Sequence, residues 1–268
     1  DVRAPARKVD IRVLSRRDRV HCVCRCTTAH HEVDLPALAP CSRSRRLPTM
    51  RRVRPVIDQL AALRRRQDEF EASIDLVDPD APVASCGDWR VRDLVHHLAW
   101  IHRWGGGVAA QHPAERLPIE GFELRSGYAR EAAGLRETFA TLDPDVVTQT
   151  LLDDPAPEAE WRGTVRFWHR RQALETLVHA WDLRAAGGLP YDPGAQAWRD
   201  CLDEVVTVMH PRQLRLGRVR PPSTRVRFIV ADAPSEHVLA ASPDAREALV
   251  TGPARSLALL AWGRLEAT

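Results

Sequence analysis

Between Arg54 and Ala186 the apolar residues recur at helical spacing in four separate runs, and each run stops at a cluster of Asp, Pro or Gly. That feature restricts the fold more than any other. Four amphipathic helices cannot each hide an apolar face alone, so they pack on one another as a bundle. The first run, "VIDQLAALRRRQDEFEASIDLV", places Val56, Leu60, Leu63, Phe70 and Ile74 along one side, and "DPDAP" ends it. The second spans about Arg90 to Ala110, followed by the linker "HPAERLPIEGF". A third covers about Leu124 to Leu142, with Ala132, Leu135, Phe139 and Leu142 on one side, and stops at "DPD". The fourth spans about Thr164 to Ala186 and is closed by Gly187 and Gly188, a C-terminal cap signal.

Beyond Pro190 the texture changes. One helix is expected from about Gly194 to Met209, then a Pro- and Arg-rich loop. Short alternating runs follow in "TRVRFIVAD", "HVLAAS" and "EALVTG", and "PARSLALLAWGRL" reads as a closing helix. The expected fold is therefore α+β: a four-helix bundle over residues 50–188 and a small α+β domain over residues 189–268. Residues 1–49 lack a sustained period and read as a disordered or spurious extension. Within them Cys22, Cys24, Cys26, His30 and His31 suggest zinc, but the C-x-C-x-C spacing departs from the paired C-x2-C of structural sites.

Charge and cysteine usage narrow the class. Residues 1–54 hold 14 of the 39 basic residues and 5 of the 36 acidic ones. The rest of the chain therefore carries more acids than bases, which points away from nucleic acid. No apolar run approaches the roughly 20 residues that span a bilayer. The basic N-terminus has no apolar stretch behind it, so a cytoplasmic protein is expected. Of six cysteines, only Cys86 and Cys201 lie in the body of the chain, far apart, and no disulfide framework is implied.

Glu175 and His179 put a carboxylate and an imidazole one turn apart on an otherwise apolar helix. Such a pair alone fits a solvated face or a buried polar contact as well as a metal. The second helix adds His96, His97 and His102. His97 lies on the apolar side with Leu94 and Ile101, His96 is offset from it, and His102 reads as a surface or capping residue. If the second and fourth helices are neighbours, His97, Glu175 and His179 converge. Two imidazoles and one carboxylate with open positions make a catalytic-type divalent metal site.

These stretches resemble the mycothiol-dependent maleylpyruvate isomerase family, a branch of the DinB-like metal-dependent bundles. "DPDAPVASCGDWRVRDLVHHLAWIHRW" is similar to the family's first signature, in which a Cys, a Gly and a Trp precede a D-L-V-x-H-L core, here Asp93, Leu94, Val95, His97 and Leu98. "RRQALETLVHAWDLRAAGG" is similar to R-R-x-x-x-E-x-x-x-H-x-W-D, matched by Arg170, Arg171, Glu175, His179, Trp181 and Asp182. "DPGAQAWRDCLDEVV" and "ALVTGPARSLALLAWGR" resemble its C-terminal domain, which is expected to be clipped. The chain departs from the family at Gly87-Asp88 in place of Pro-Gly, at Arg90 in place of Thr, and at Leu174 in place of His. The Arg90 change implies a different helix cap, with Asp88 as the expected supplier.

The resemblance implies that His97, Glu175 and His179 hold a divalent metal, zinc above all, and that mycothiol is the thiol cosubstrate. It implies thiolate addition to a maleyl double bond, rotation and elimination. Thiol S-transfer onto electrophiles and non-catalytic metal binding are the rival readings, with an arginine-rich nucleic-acid arm behind them. The expected partners are a small molecule and a low-molecular-weight thiol. For an anionic substrate Arg170, Arg171, Arg218, Arg220 and Arg225 come into view, each individually expected to be a solvated surface arginine.

Overall fold

The computed structural model describes residues 57–112, 114–154, 156–233, 235–239 and 245–266, together with the backbone of three short strands nearer the N-terminus. Those strands are β1 (Arg12–Leu14), β2 (Val20–His21) and β3 (Glu32–Val33). The cysteine–histidine cluster of residues 22–31 and the reading of residues 1–49 as an extension otherwise lie outside the described residues. The chain divides into two compact units, Val56–Asp192 and a second joining Pro193–Thr268 to the N-terminal segment.

The first unit is the four-helix bundle. Its helices are α1 (Gln59–Ile74), α2 (Val91–Ala109), α3 (Leu124–Thr141) and α4 (Val165–Ala186). Helix α1 packs on α3 and α4, and α2 packs on α3 and α4. Each boundary has a local cause. Asp58 caps α1 by accepting the Ala61 N–H at 3.0 Å. The expected Asp88 cap of α2 is not used: the Asp93 carboxylate reaches back to the Arg90 N–H at 2.8 Å. That is one half of a capping box, which Arg90 cannot complete because its side chain accepts nothing. Helix α4 ends in a Schellman turn, with the Gly188 N–H on the Ala185 carbonyl and the Leu189 N–H on the Arg184 carbonyl. Gly188 takes the left-handed conformation, φ +67°, that the turn needs.

The core of the bundle is drawn from all four helices: Leu63 and Phe70, Leu94 and Leu98, Tyr128 and Leu135, and Trp168, Leu174 and Leu177, all at most 2% exposed. Each such side chain contributes about 1.5–3 kcal/mol on burial. Helix α4 is buried along most of its length and around most of its circumference. Its polar residues therefore lie inside the bundle. A two-stranded ribbon, β4 (Val147–Thr148) with β5 (Gly163–Thr164), leads into α4.

In the second unit, α5 (Ala195–Glu204) passes into a π-helical turn, Val205–Met209, and then α6 (His210–Arg215). The expected helix end near Met209 is therefore a correction: the helical path continues through Pro211 to Arg215. A proline ring clashes with the carbonyl four residues back. The wider turn, in which the His210 N–H bonds the Val205 carbonyl, relieves that clash. Strands β6 (Thr224–Val230), β7 (Ser235–Leu239) and β8 (Arg246–Gly252) precede α7 (Ala254–Ala261). The sheet order is β1-β8-β6-β7, with β6 antiparallel to β7 and parallel to β8. Alternate residues of β6 are buried, which is the period-two pattern seen in its sequence. Among the described residues no helix is long and apolar enough to cross a membrane.

Candidate metal centre

Helices α2 and α4 lie side by side, and their aromatic contacts set the register. His97 meets His179 edge-to-face at 5.2 Å between ring centroids, and Trp104 meets Trp168 in the same way at 5.2 Å. The later residue on α2 thus pairs with the earlier one on α4, so the two helices run antiparallel. At the His97 end, Glu175 and His179 project from successive turns of α4 toward α2.

The three residues singled out by spacing are brought together. Glu175 Oε1 lies 3.3 Å from His179 Nε2 and 3.7 Å from His97 Nε2. One ligand atom from each residue falls within 4.8 Å of the others. Side-chain exposure rises from 2% at His179 through 13% at Glu175 to 23% at His97. The cluster is therefore rooted in the bundle, with His97 its most exposed member, although the Nε2 atom of His97 is itself buried. A nitrogen–nitrogen–oxygen set of three ligands suits a divalent ion that keeps a position for an outside ligand.

A second layer fixes these side chains. His179 Nδ1 lies 3.0 Å from Asp182 Oδ2. Asp182 is buried and its carboxylate only accepts, so Nδ1 carries the proton and the Nε2 lone pair faces Glu175 and His97. Asp182 is held in turn by the Ser85 hydroxyl, which donates to Oδ1 at 2.5 Å, and by the Cys86 thiol at 3.8 Å. Cys86, His179 and Asp182 also lie close enough to one another to suggest a ligand set of their own. Their mutual hydrogen bonds give them a different part, as the support behind His179. Glu175 is paired through Oε2 with the Arg171 guanidinium, one turn earlier on α4.

The loop before α2 closes one wall. A 3-10 turn, Ala84–Cys86, is followed by Gly87 at φ +67°, and the Val83 N–H returns to the Trp89 carbonyl at 2.8 Å. This places the Trp89 ring 4.7 Å from that of His97. One loop thus supplies Ser85 and Cys86 to Asp182 and Trp89 to His97.

Two expectations are corrected. His102 is neither a surface nor a capping residue: it is fully buried, with Nδ1 2.9 Å from Gln172 Oε1 and Nε2 3.4 Å from the Tyr128 hydroxyl. Burial pulls its pKa down to about 4 against the opposing Gln172 hydrogen bond, so it is neutral at ordinary pH. Arg171 is not solvated but 4% exposed, and its buried charge is met by Glu175. His96 does turn away, toward the Pro118 carbonyl at 3.3 Å and the edge of Phe122. Arg218 and Arg220 are exposed residues of the second unit and Arg225 is half-buried there.

Spacing arguments had not assigned roles to Asp182, Arg171, Ser85 or Trp89. Asp182 sits three residues after His179 and Arg171 four before Glu175, both on the faces of their partners, so the helical period carried a usable signal for these two. Ser85 and Trp89 depend on a loop conformation and left no periodic trace.

Comparison with known proteins bears on the same region. Residues 60–184 match the family described as mycothiol maleylpyruvate isomerase N-terminal domain, a span containing His97, Glu175 and His179. An uncharacterized protein of Mycobacterium tuberculosis, present in two strains, is 32% identical over 138 residues, which cover 51% of this chain and 71% of the relative. Two crystal structures of the mycothiol-dependent maleylpyruvate isomerase, one carrying a histidine-to-alanine substitution, align with a TM-score of 0.54 at 15% identity. The alignment covers 78% of this chain and 89% of theirs. At that identity the likeness is one of fold.

Proposed function

Because the chain belongs to the mycothiol maleylpyruvate isomerase family, we propose that it is a metal- and mycothiol-dependent enzyme in which His97, Glu175 and His179 hold a divalent ion, zinc by preference. The observation that carries the reading is the convergence of these three side chains, with Asp182 fixing the tautomer of His179. A divalent ion bound there supplies acidification of a thiol to thiolate at neutral pH and polarisation of a substrate carbonyl or carboxylate.

The chain's own residues do the rest. Asp182 keeps the Nδ1 proton of His179 and so keeps Nε2 free to donate its lone pair. Glu175 presents Oε1 between the two imidazoles. Trp89 packs on the His97 ring and covers that side of the cluster with an apolar face. In the proposed reaction the thiolate sulfur adds to one carbon of a maleyl double bond, and the electron pair moves onto the conjugated carbonyl. The former double bond is now single and rotates. The electron pair returns, the carbon–sulfur bond breaks, and the trans alkene and the thiolate are released. No atom is gained or lost.

The same thiolate could attack an electrophilic carbon and displace a leaving group, which would make the chain an S-transferase. Two assays separate these readings. The zinc-loaded full chain is incubated with mycothiol and maleylpyruvate, following loss of the cis absorbance, and separately with mycothiol and an alkyl halide, following adduct formation. Isomerisation that requires mycothiol is the expected result. Adduct formation without isomerisation would replace isomerase by S-transferase. Neither activity, in a protein that holds its metal, would leave a non-catalytic metal-binding protein.

A further inference from the structure

The two oxygens of Glu175 keep different company. Oε1 faces both imidazoles, at 3.3 and 3.7 Å, whereas Oε2 is paired with Arg171 Nη2. The Arg171 side chain is 5% exposed and that of Glu175 13%. A guanidinium keeps its charge at any ordinary pH, and a buried charge stays buried only when it is paired. Rotating Glu175 so that both oxygens turn toward the imidazoles would take Oε2 from Arg171. The pair therefore resists that rotation.

This matters for any ion held by the cluster. A carboxylate that binds through both oxygens fills two coordination positions, and one that binds through a single oxygen fills one. Two imidazole nitrogens and one carboxylate oxygen leave a position for an outside ligand in a four-coordinate centre. The positive charge of Arg171 also offsets the carboxylate, so the centre stays more electron-poor and better able to hold a thiolate. Resting on the metal-centre reading above, we propose that Arg171 is a positioning residue that confines Glu175 to coordination through Oε1 and thereby keeps the thiol's position open.

The test uses the full chain loaded with cobalt(II), whose thiolate charge-transfer band in the near ultraviolet reports sulfur binding directly. The wild type should take up cobalt and develop the band on titration with mycothiol. Arg171→Gln should hold cobalt with an affinity within a few-fold of wild type yet bind mycothiol about 10-fold or more weakly, and Arg171→Lys should recover part of the loss. A folded Arg171→Gln that binds both cobalt and thiol like the wild type overturns the proposal. So does one that loses cobalt, because Arg171 would then serve metal retention and not the open position. If the glutamine variant fails to fold, a crystal structure of the zinc-loaded wild type decides. One Glu175 oxygen at about 2.0–2.2 Å from zinc, with the other on Arg171, supports the proposal, and two bound oxygens overturn it. A wild type that takes up no cobalt at all would instead sink the metal-centre reading beneath it.

Discussion

Asp182 never faces the cluster, yet it decides which nitrogen of His179 does. Its buried carboxylate accepts the hydrogen bond of Nδ1–H at 3.0 Å and is braced by Ser85 at 2.5 Å. Outer carboxylates of this kind typically change metal affinity about 10–100-fold. Asp182→Asn should lower zinc affinity by about that factor while leaving the helical circular dichroism intact, as measured by competition with a coloured chelator. Unchanged affinity would assign Asp182 to packing alone. Residue by residue, the sequence exposed the centre unevenly. Glu175 and His179 were legible from their four-residue spacing, and His97 from its place among Leu94 and Leu98. Arg171 and His102 were misread as solvated for one reason. Polar residues are outside by default; the i,i+4 spacing offered Glu175 to Arg171 without showing that their helix is buried, and only the packing of the helices brings Gln172 and Tyr128 to His102.

Helices α2 and α4 carry the cluster, and buried polar side chains also meet between them. Gln172 accepts through Oε1 from His102 Nδ1–H at 2.9 Å and donates through its amide nitrogen to the Ile101 carbonyl at 3.2 Å. Gly105 makes room for it, because a Cβ there would collide with the Gln172 amide. The burial of His102 has a pH consequence. Folded His102 has its pKa lowered to about 4 by burial, whereas in the unfolded chain it titrates near 6.5. Between those values the unfolded state binds the proton and the folded state does not. The contribution is fully present above pH 6.5 and is lost as pH falls toward 4, with a slope of at most ~1.4 kcal/mol per pH unit. Urea unfolding at pH 7, 6 and 5 should show this loss, and His102→Gln should flatten it. A wild type and variant with parallel pH profiles would contradict the assignment. His210 in the second unit is likewise lowered to about 4 by burial, so its contribution has the same sign.

For the whole molecule, the two-part α+β architecture was legible because it rests on two periods, 3.6 through the bundle and 2 through β6 and its neighbours. The bundle's boundaries were legible because Pro, Gly and Asp clusters mark them chemically, as the Schellman turn at Gly188 illustrates. The π-helical turn before Pro211 was not, since a proline in a helical run is ordinarily a stop and the widened turn leaves no compositional mark. Family membership and a shared fold accompany a cluster whose chemistry suits a metal, and the cluster carries the functional account. The most direct test is elemental analysis of the purified full chain beside a His179→Ala variant, after both have been offered zinc and desalted. The account predicts about one zinc per wild-type chain and little or none in a variant that keeps its helical circular dichroism. A folded wild type that retains no metal would contradict it, leaving Glu175 and His179 as a buried polar contact inside a shared fold.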